Sequence, residues 1–283
     1  MSILKIGIIG AGTMGGGIAQ VCALSKLDVI LLDISEAVVA KGLASIGANL
    51  DRLVKKEKIA RDQRDDAMIR IRGTSLYADL GLCDLVIEAA TESLELKKKI
   101  LKQAGELLHH EAVLATNTSS ISITSLAAAS GRPDRFIGMH FFNPVTAMEL
   151  VEVIRGLQTS DRTYNMAMEF SRLVGKHPIT VRNTPGFAVN RILCPMINEA
   201  IFALQEGVAN AEDIDAGMRL GCNHPIGPLA LADMIGLDTL LAIMDVLQQD
   251  FGDPKYRAAL LLREMVAAGK LGRKSGSGFY AYP

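Results

Sequence analysis

A histidine and a glutamate stand where the apolar pattern leaves no ordinary place for them. His140 closes the run Phe136-Ile137-Gly138-Met139, and Glu152 interrupts the run Leu150-Val151-Val153-Ile154. A carboxylate in the middle of such a strand is costly to bury unless something pairs with it. A histidine at the end of one strand and a glutamate in the next can form that pair. The carboxylate then fixes the imidazole tautomer and aims the ring, which a general base requires. Read singly, each residue also fits a plain role: a core histidine bonded to backbone, and a glutamate at a sheet edge. Two more polar features join them. Thr116-Asn117-Thr118-Ser119-Ser120 follows the apolar run that ends at Thr116. Ligands bind beyond the carboxyl ends of strands in open parallel sheets, although the same residues also serve as a turn and helix cap. Asn190 falls on the helix face shared by Phe187, Cys194 and Ile197, so it caps something or points at a ligand.

These residues come after a nucleotide signature. Gly10-Ala11-Gly12-Thr13-Met14-Gly15 is a G-x-G-x-x-G directly behind the apolar run Ile6–Ile9, and it opens a helix. Gly10 permits the tight turn, Gly12 lets backbone approach a pyrophosphate, and Gly15 lets helix and strand pack closely. Thr13 and Met14 begin the helix whose unpaired N–H groups face the phosphates. Asp33 ends the next strand, 18 residues after Gly15, where a carboxylate accepts from ribose hydroxyls and repels a 2′-phosphate. NAD is therefore expected rather than NADP. Behind a nucleotide-binding unit, the histidine and glutamate read together as a catalytic pair.

Elements of two kinds must position these residues. Up to Pro185, short β-like runs alternate with helical patterns. The expected strands are 4–9, 29–32, 85–88, 112–116, 136–139, 150–154 and 179–181, with helices including 15–25, 35–54 and 94–107. Such alternation implies a mostly parallel sheet with helices on both faces. After Asn183-Thr184-Pro185-Gly186, which is turn chemistry, no strand is expected to about Ser275, and apolar positions recur at helical steps. The boundary is set there, giving residues 1–185 and 186–283. At 283 residues, and roughly 150 per domain, two domains are expected.

Composition narrows the class. Thirty basic and 31 acidic residues leave a net charge of −1, which argues against a nucleic-acid binder. Hydrophobic residues at 49% and charged residues at 22% rule out a disordered chain. Cys22, Cys83, Cys194 and Cys222 show no C-x-x-C spacing, so reduced thiols in a cytoplasmic protein, and no metal site, are expected. No run of 18 or more apolar residues free of glycine and charge suggests a membrane span. The window from Arg52 to Arg72 holds eight cations against four acids, a net of +4 that by default marks a solvated helix pair. Leu237, Leu240, Leu241, Ile243, Met244, Val246 and Leu247 cover more than one helix face and must be buried in a core or against another subunit.

Together the glycine motif, Thr116–Ser120, His140-Phe141-Phe142-Asn143-Pro144, Glu152, Pro185–Arg191 and the ending Gly272–Tyr280 stand in the order and spacing of a known family. The chain resembles the L-3-hydroxyacyl-CoA dehydrogenases over essentially its whole length. Within them it is most similar to the bacterial 3-hydroxybutyryl-CoA dehydrogenases. The resemblance implies an α/β fold: a Rossmann-like, mostly parallel sheet domain, then an all-α C-terminal domain for substrate and dimerisation. It implies interconversion of (S)-3-hydroxybutyryl-CoA and acetoacetyl-CoA with NAD(H). His140 would be the general acid/base, Glu152 would orient it, and Ser119 and Asn190 would bond the substrate oxygens. Glu92, Lys97 and Asn143 match positions that line the NAD site. The basic window, near 45–72, would be a helical hairpin that binds CoA, with Arg52, Lys56 and Lys58 toward its phosphates. A homodimer through the C-terminal domain is implied as well. Three positions depart from the family pattern: Thr116 stands for a serine, Thr146 for a proline and Glu149 for a lysine. Two other classes stay in view. A 3-hydroxyacid dehydrogenase that acts without CoA commonly uses a lysine where this chain offers Asn190. A non-catalytic protein on the same fold would have no physical need for His140, Glu152, Ser119 and Asn190 together.

Overall fold

The computed structural model describes residues 5–282. Strands β1 (Lys5–Ile9), β2 (Asp28–Leu32), β3 (Ile71–Thr74), β4 (Leu85–Glu88), β5 (Val113–Thr116), β6 (Phe136–Phe141), β7 (Leu150–Arg155) and β8 (His177–Arg182) form one sheet. Its order is β3-β2-β1-β4-β5-β6-β7-β8. Strands β1 to β6 run parallel, β7 is antiparallel to β6, and β8 follows β7. Between them lie α1 (Thr13–Leu24), α2 (Glu36–Lys55), α3 (Arg61–Ile69), α4 (Leu94–Leu107), α5 (Ile123–Ala129) and α6 (Asp161–Leu173). This is the expected α/β architecture. Strand order reverses between β1 and β4, and the crevice at such a switch point is where open α/β sheets take ligands.

The strands are short, and all but the two edge strands β3 and β8 are rich in Ile, Val and Leu and mostly buried, as strands covered on both faces must be. Alternate residues such as Ile6, Ile8, Leu31 and Ile87 join buried residues of α1 and α6 in one core cluster. The period of two sends the intervening residues to the other face. Register therefore sets Glu88 beside Thr116, Thr116 beside Gly138, and His140 beside Glu152 on one face of the sheet.

Several boundaries differ from the sequence expectation. Leu4, expected to open the first strand, lies outside the described residues. Strand β6 runs on through Phe141, so His140 sits within the strand rather than at its end, because Phe141 still pairs with Val151. Strand β3 was not expected at all. Ile71 and Arg72, read as the end of the basic helical window, belong to it. The reason is Gly73: a Cβ there would lie 2.3 Å from Val39 of α2, so close helix packing demands a residue with no strand preference. The helical pair is α2 with α3, spanning 36–69, and Arg64 Nε of α3 reaches Asp51 of α2 at 2.9 Å.

The first compact unit ends at Thr184 and the second begins at Pro185, one residue before the boundary read from the turn. The second unit holds α7 (Val189–Gln205), α8 (Ala211–Cys222), α9 (Pro228–Ile235), α10 (Leu237–Phe251) and α11 (Leu260–Ala267). Its core gathers Cys194, Ile197 and Ile201 of α7 with Leu237, Leu240, Met244 and Leu247 of α10. Leu241, Ile243 and Val246 of α10 are only half-buried. Asp215 accepts from Leu229 N and Ala230 N at the start of α9, where a carboxylate suits the helix N-terminus. Buried Asp233 accepts from Phe279 N, Tyr280 N and the Tyr282 hydroxyl, which fastens the tail to α9. Among the described residues no helix is long and apolar enough to cross a membrane.

Candidate active site

The glycine loop leaves β1 and enters α1 with its three glycines in separate roles. Gly10 has φ +109°, a conformation that L side chains rarely adopt, and a Cβ on it would meet the Ala89 backbone after β4. A Cβ on Gly15 would lie 1.8 Å from the Gly10 carbonyl oxygen. Gly12 is different: a Cβ there would meet no protein atom within 4 Å. No described residue crowds position 12, so the backbone there is open to close approach by a ligand. Thr13 is exposed and Met14 half-buried at the first turn of α1. Asp33 does a job the sequence did not suggest, since its Oδ2 accepts from Ala11 N at 2.7 Å and its Oδ1 from Ile34 N. It thereby fastens the loop, and a carboxylate with about four acceptor sites still has capacity for ribose hydroxyls. These groups fit a dinucleotide: open backbone for the pyrophosphate, a helix N-terminus behind it and an acceptor beyond β2.

The histidine pair is formed. His140 Nδ1 lies 2.7 Å from Glu152 Oε2, with Glu152 fully buried and His140 nearly so. The antiparallel register of β6 and β7 sets the two opposite each other, so the ladder holds the pair. An ionised carboxylate only accepts, so Nδ1 carries the hydrogen in this bond. Phe142 packs 4.5 Å from the imidazole, ring centre to ring centre. Asn143 is exposed in the 142–149 connection, which Lys176 secures by donating to the Val145 and Met148 carbonyls. Burial pushes the Lys176 ammonium below its ordinary pKa.

Sequence reasoning named Asn117 within the polar segment 116–120 but missed its role. Its Oδ1 accepts from Phe141 N at 2.8 Å and its own N–H donates to Glu88 O. The side chain thus continues the β5–β6 ladder past Thr116 and secures the backbone next to His140. Glu88 was missed too. Its carboxylate is fully buried and accepts from Lys97 Nζ at 2.6 Å, Thr116 Oγ1 at 2.8 Å and Ala90 N at 2.8 Å. Lys97 itself is 1% exposed. Glu92, at the surface, accepts from Ser119 N and Ser119 Oγ on one oxygen and from Thr118 Oγ1 on the other. The first unit therefore gathers Glu92, Lys97 and Ser119 into one polar network and His140 with Glu152 into a pair. Asn190 stands on the second unit, half-buried in the first turn of α7, on the stripe that continues through Cys194, Ile197 and Ile201.

In the basic hairpin the structure separates the cations. Arg61, Arg64, Arg70 and Arg72 are held in ion pairs with Asp51, Asp65, Asp28, Asp66 and Asp79. Arg52 donates to Asn49 one turn earlier. Lys55, Lys56 and Lys58 are exposed and form no ion pair among the described residues.

Comparison with known proteins gives a consistent result. Residues 5–184 match the family model for the NAD binding domain of 3-hydroxyacyl-CoA dehydrogenase, and residues 186–282 match that for its C-terminal domain. The chain is 54% identical over 279 residues to a probable 3-hydroxybutyryl-CoA dehydrogenase of Deinococcus radiodurans, covering 99% of this chain and 100% of that one. It is 52% identical over 280 residues to the 3-hydroxybutyryl-CoA dehydrogenase of Bradyrhizobium diazoefficiens, covering 99% and 96%. Its fold matches the crystal structure of (S)-3-hydroxybutyryl-CoA dehydrogenase from Ralstonia eutropha with a TM-score of 0.97 and 62% identity, over the whole of both chains.

Proposed function

Because this chain belongs to the 3-hydroxyacyl-CoA dehydrogenase family and is an NAD-dependent oxidoreductase, we propose that it interconverts (S)-3-hydroxybutyryl-CoA and acetoacetyl-CoA. The observation that carries the mechanism is the buried His140–Glu152 pair. With Nδ1–H committed to Glu152, Nε2 is the ring atom that takes the hydroxyl proton during oxidation and returns it during ketone reduction. Glu152 holds the ring in that tautomer and stabilises the imidazolium once the proton arrives. NAD supplies the hydride chemistry when bound, and the protein supplies placement and proton transfer. Gly10, Gly12, Thr13, Met14 and Gly15 hold the pyrophosphate, and Asp33 takes the ribose and disfavours a 2′-phosphate. Glu92, Lys97 and Asn143 complete the cofactor's surroundings, Lys97 by its charge from beneath the surface.

Ser119 and Asn190 hydrogen-bond the substrate oxygens. Arg52, Lys56 and Lys58 meet the CoA phosphates, and Lys55 joins them, because among the described residues no carboxylate pairs with these exposed cations. The half-buried apolar residues of α10 fit a homodimer through the second unit, in a cytoplasmic enzyme.

The test is oxidation of NADH, with NADPH in parallel, on adding acetoacetyl-CoA to the purified protein. Rapid NADH loss with slower NADPH loss is expected. No loss with either, in protein that binds NADH, would shift the reading to a CoA-independent hydroxyacid enzyme or a non-catalytic protein.

A further inference from the structure

Beside the proton-transfer pair, the buried carboxylate of Glu88 has been given no task. Glu88 and Lys97 are both shut off from solvent, and two buried charges are retained only where their partners satisfy them. Glu88 is fully committed. Ala90 N occupies Oε1, and Thr116 Oγ1 and Lys97 Nζ occupy Oε2. Lys97 is less evenly served. Its ammonium lies 2.6 Å from Glu88 and 3.7 Å from Glu92 Oε2, so two carboxylates share one cation and the buried one holds it more closely. Glu92 uses its remaining capacity on the loop after β5: Oε1 takes Ser119 N at 2.6 Å and Ser119 Oγ at 2.8 Å, and Oε2 takes Thr118 Oγ1. A serine hydroxyl has a single proton to give. Here it goes to Glu92, which fixes the Oγ rotamer and leaves the oxygen able to act only as an acceptor toward a ligand.

We propose that Glu88 is a positioning residue for Ser119: it holds the Lys97 ammonium back from Glu92, so that Glu92 stays on the serine. The inference rests on Ser119 being a substrate contact. If Glu88 loses its charge, the counter-charge left beside Lys97 among the described residues is Glu92. The two close the 3.7 Å gap, and Ser119 loses its partner and its orientation.

The experiment is a double-mutant cycle on acetoacetyl-CoA reduction. Glu88→Gln is expected to lower kcat at least tenfold, with NADH binding within threefold of wild type. A general structural defect would also lower kcat, so the deciding readout is the Ser119→Ala background. There Glu88→Gln should change kcat by less than twofold, since the group it acts through is gone. Thr116→Val, which removes the hydroxyl bond to Glu88 and the longer one from Lys97 Nζ but leaves both charges, is the milder second variant if Glu88→Gln fails to fold, with a smaller effect that must likewise vanish in Ser119→Ala. If Ser119→Ala is slow and the Glu88 or Thr116 change multiplies with it, Glu88 does not act through Ser119 and the inference falls. If Ser119→Ala turns over like wild type, the reading of Ser119 falls first.

Discussion

Gly12 and Gly15 belong to the same motif, and the structure predicts opposite consequences for the same substitution. In Gly12→Ala the new methyl meets no protein atom within 4 Å, and the backbone at φ −75° and ψ −165° is one alanine adopts. The folding cost is that of a poor N-cap, on the order of 0.5–1 kcal/mol. In the proposed cofactor placement the methyl occupies the space where the pyrophosphate approaches backbone. Hydrogen bonds to a charged group contribute about 1.5–3 kcal/mol each. Losing two of them weakens NADH by roughly 10²- to 10⁴-fold, at about 1.4 kcal/mol per factor of ten. Gly15→Ala instead drives a methyl to 1.8 Å from the Gly10 carbonyl oxygen, a backbone atom that cannot rotate away. Its folding cost is about 3 kcal/mol or more, at the upper end for overpacking. The chain contains no tryptophan, so the fluorescence of NADH itself reports binding with little background, and a melting curve reports stability. Gly12→Ala should melt within a few degrees of wild type and bind poorly. Wild-type affinity in Gly12→Ala would mean that no phosphate lies over position 12, and the cofactor placement would have to be abandoned.

Glu152→Gln keeps the shape but removes the charge opposite His140, and kcat should fall about 10- to 100-fold, the worth of a charge-assisted bond, with NADH affinity unchanged; turnover within twofold of wild type would remove the pair from the mechanism. Glu111 is held at a pKa of about 2 against an ordinary 4.5, by His110 first and then Arg135 and Arg162. Its ion pairs therefore stabilise the fold above pH 4.5 and lose that contribution as pH falls toward 2. The urea midpoint of Glu111→Gln should lie below wild type at neutral pH and converge with it in acid, and a gap that stays constant would contradict the assignment. Burial pushes the Cys83 and Cys194 thiols up to about 12 and Cys22 higher still, whereas Cys222 is exposed. One thiol per chain should react promptly with a disulfide reagent and vanish in Cys222→Ser; a second prompt thiol would show that the core opens on the reaction timescale.

The nucleotide loop and the histidine pair were legible in the sequence because each violates a local pattern. Three glycines in six residues break a helix start, and a carboxylate breaks an apolar strand. Strand β3 was not legible, because the packing of α2 places glycine where a strand would otherwise show a β-branched residue. The Glu88–Lys97 pair was hidden for another reason. Glu88 reads as the end of the expected strand 85–88, and Lys97 enters as a position lining the NAD site by resemblance, so nothing in the sequence joins the two. A signal was present in α4, where Lys97, Leu101 and Ala104 recur at steps of four and three and form the buried stripe. Leu94 and Leu96 are exposed while Lys97 is buried, an inversion that only the opposing sheet explains. Asp33 was read as a ligand contact, and its bond to Ala11 N needed coordinates, because sequence cannot show which loop a strand end reaches.

The His140–Glu152 pair is spaced by hydrogen bonds between strands, and the 142–149 segment joining those strands plays no part in that spacing. Only Val145 of that segment is buried, against Gly17 of α1. Thr146 and Glu149, two positions where this chain departs from its family's pattern, both fall there. Apart from Phe142, which packs on the His140 ring, substitutions in this connection can change its exposed surface without moving the two strands that hold the pair. The fold in this way separates the ladder that sets the geometry of the pair from the exposed connection that joins its two strands.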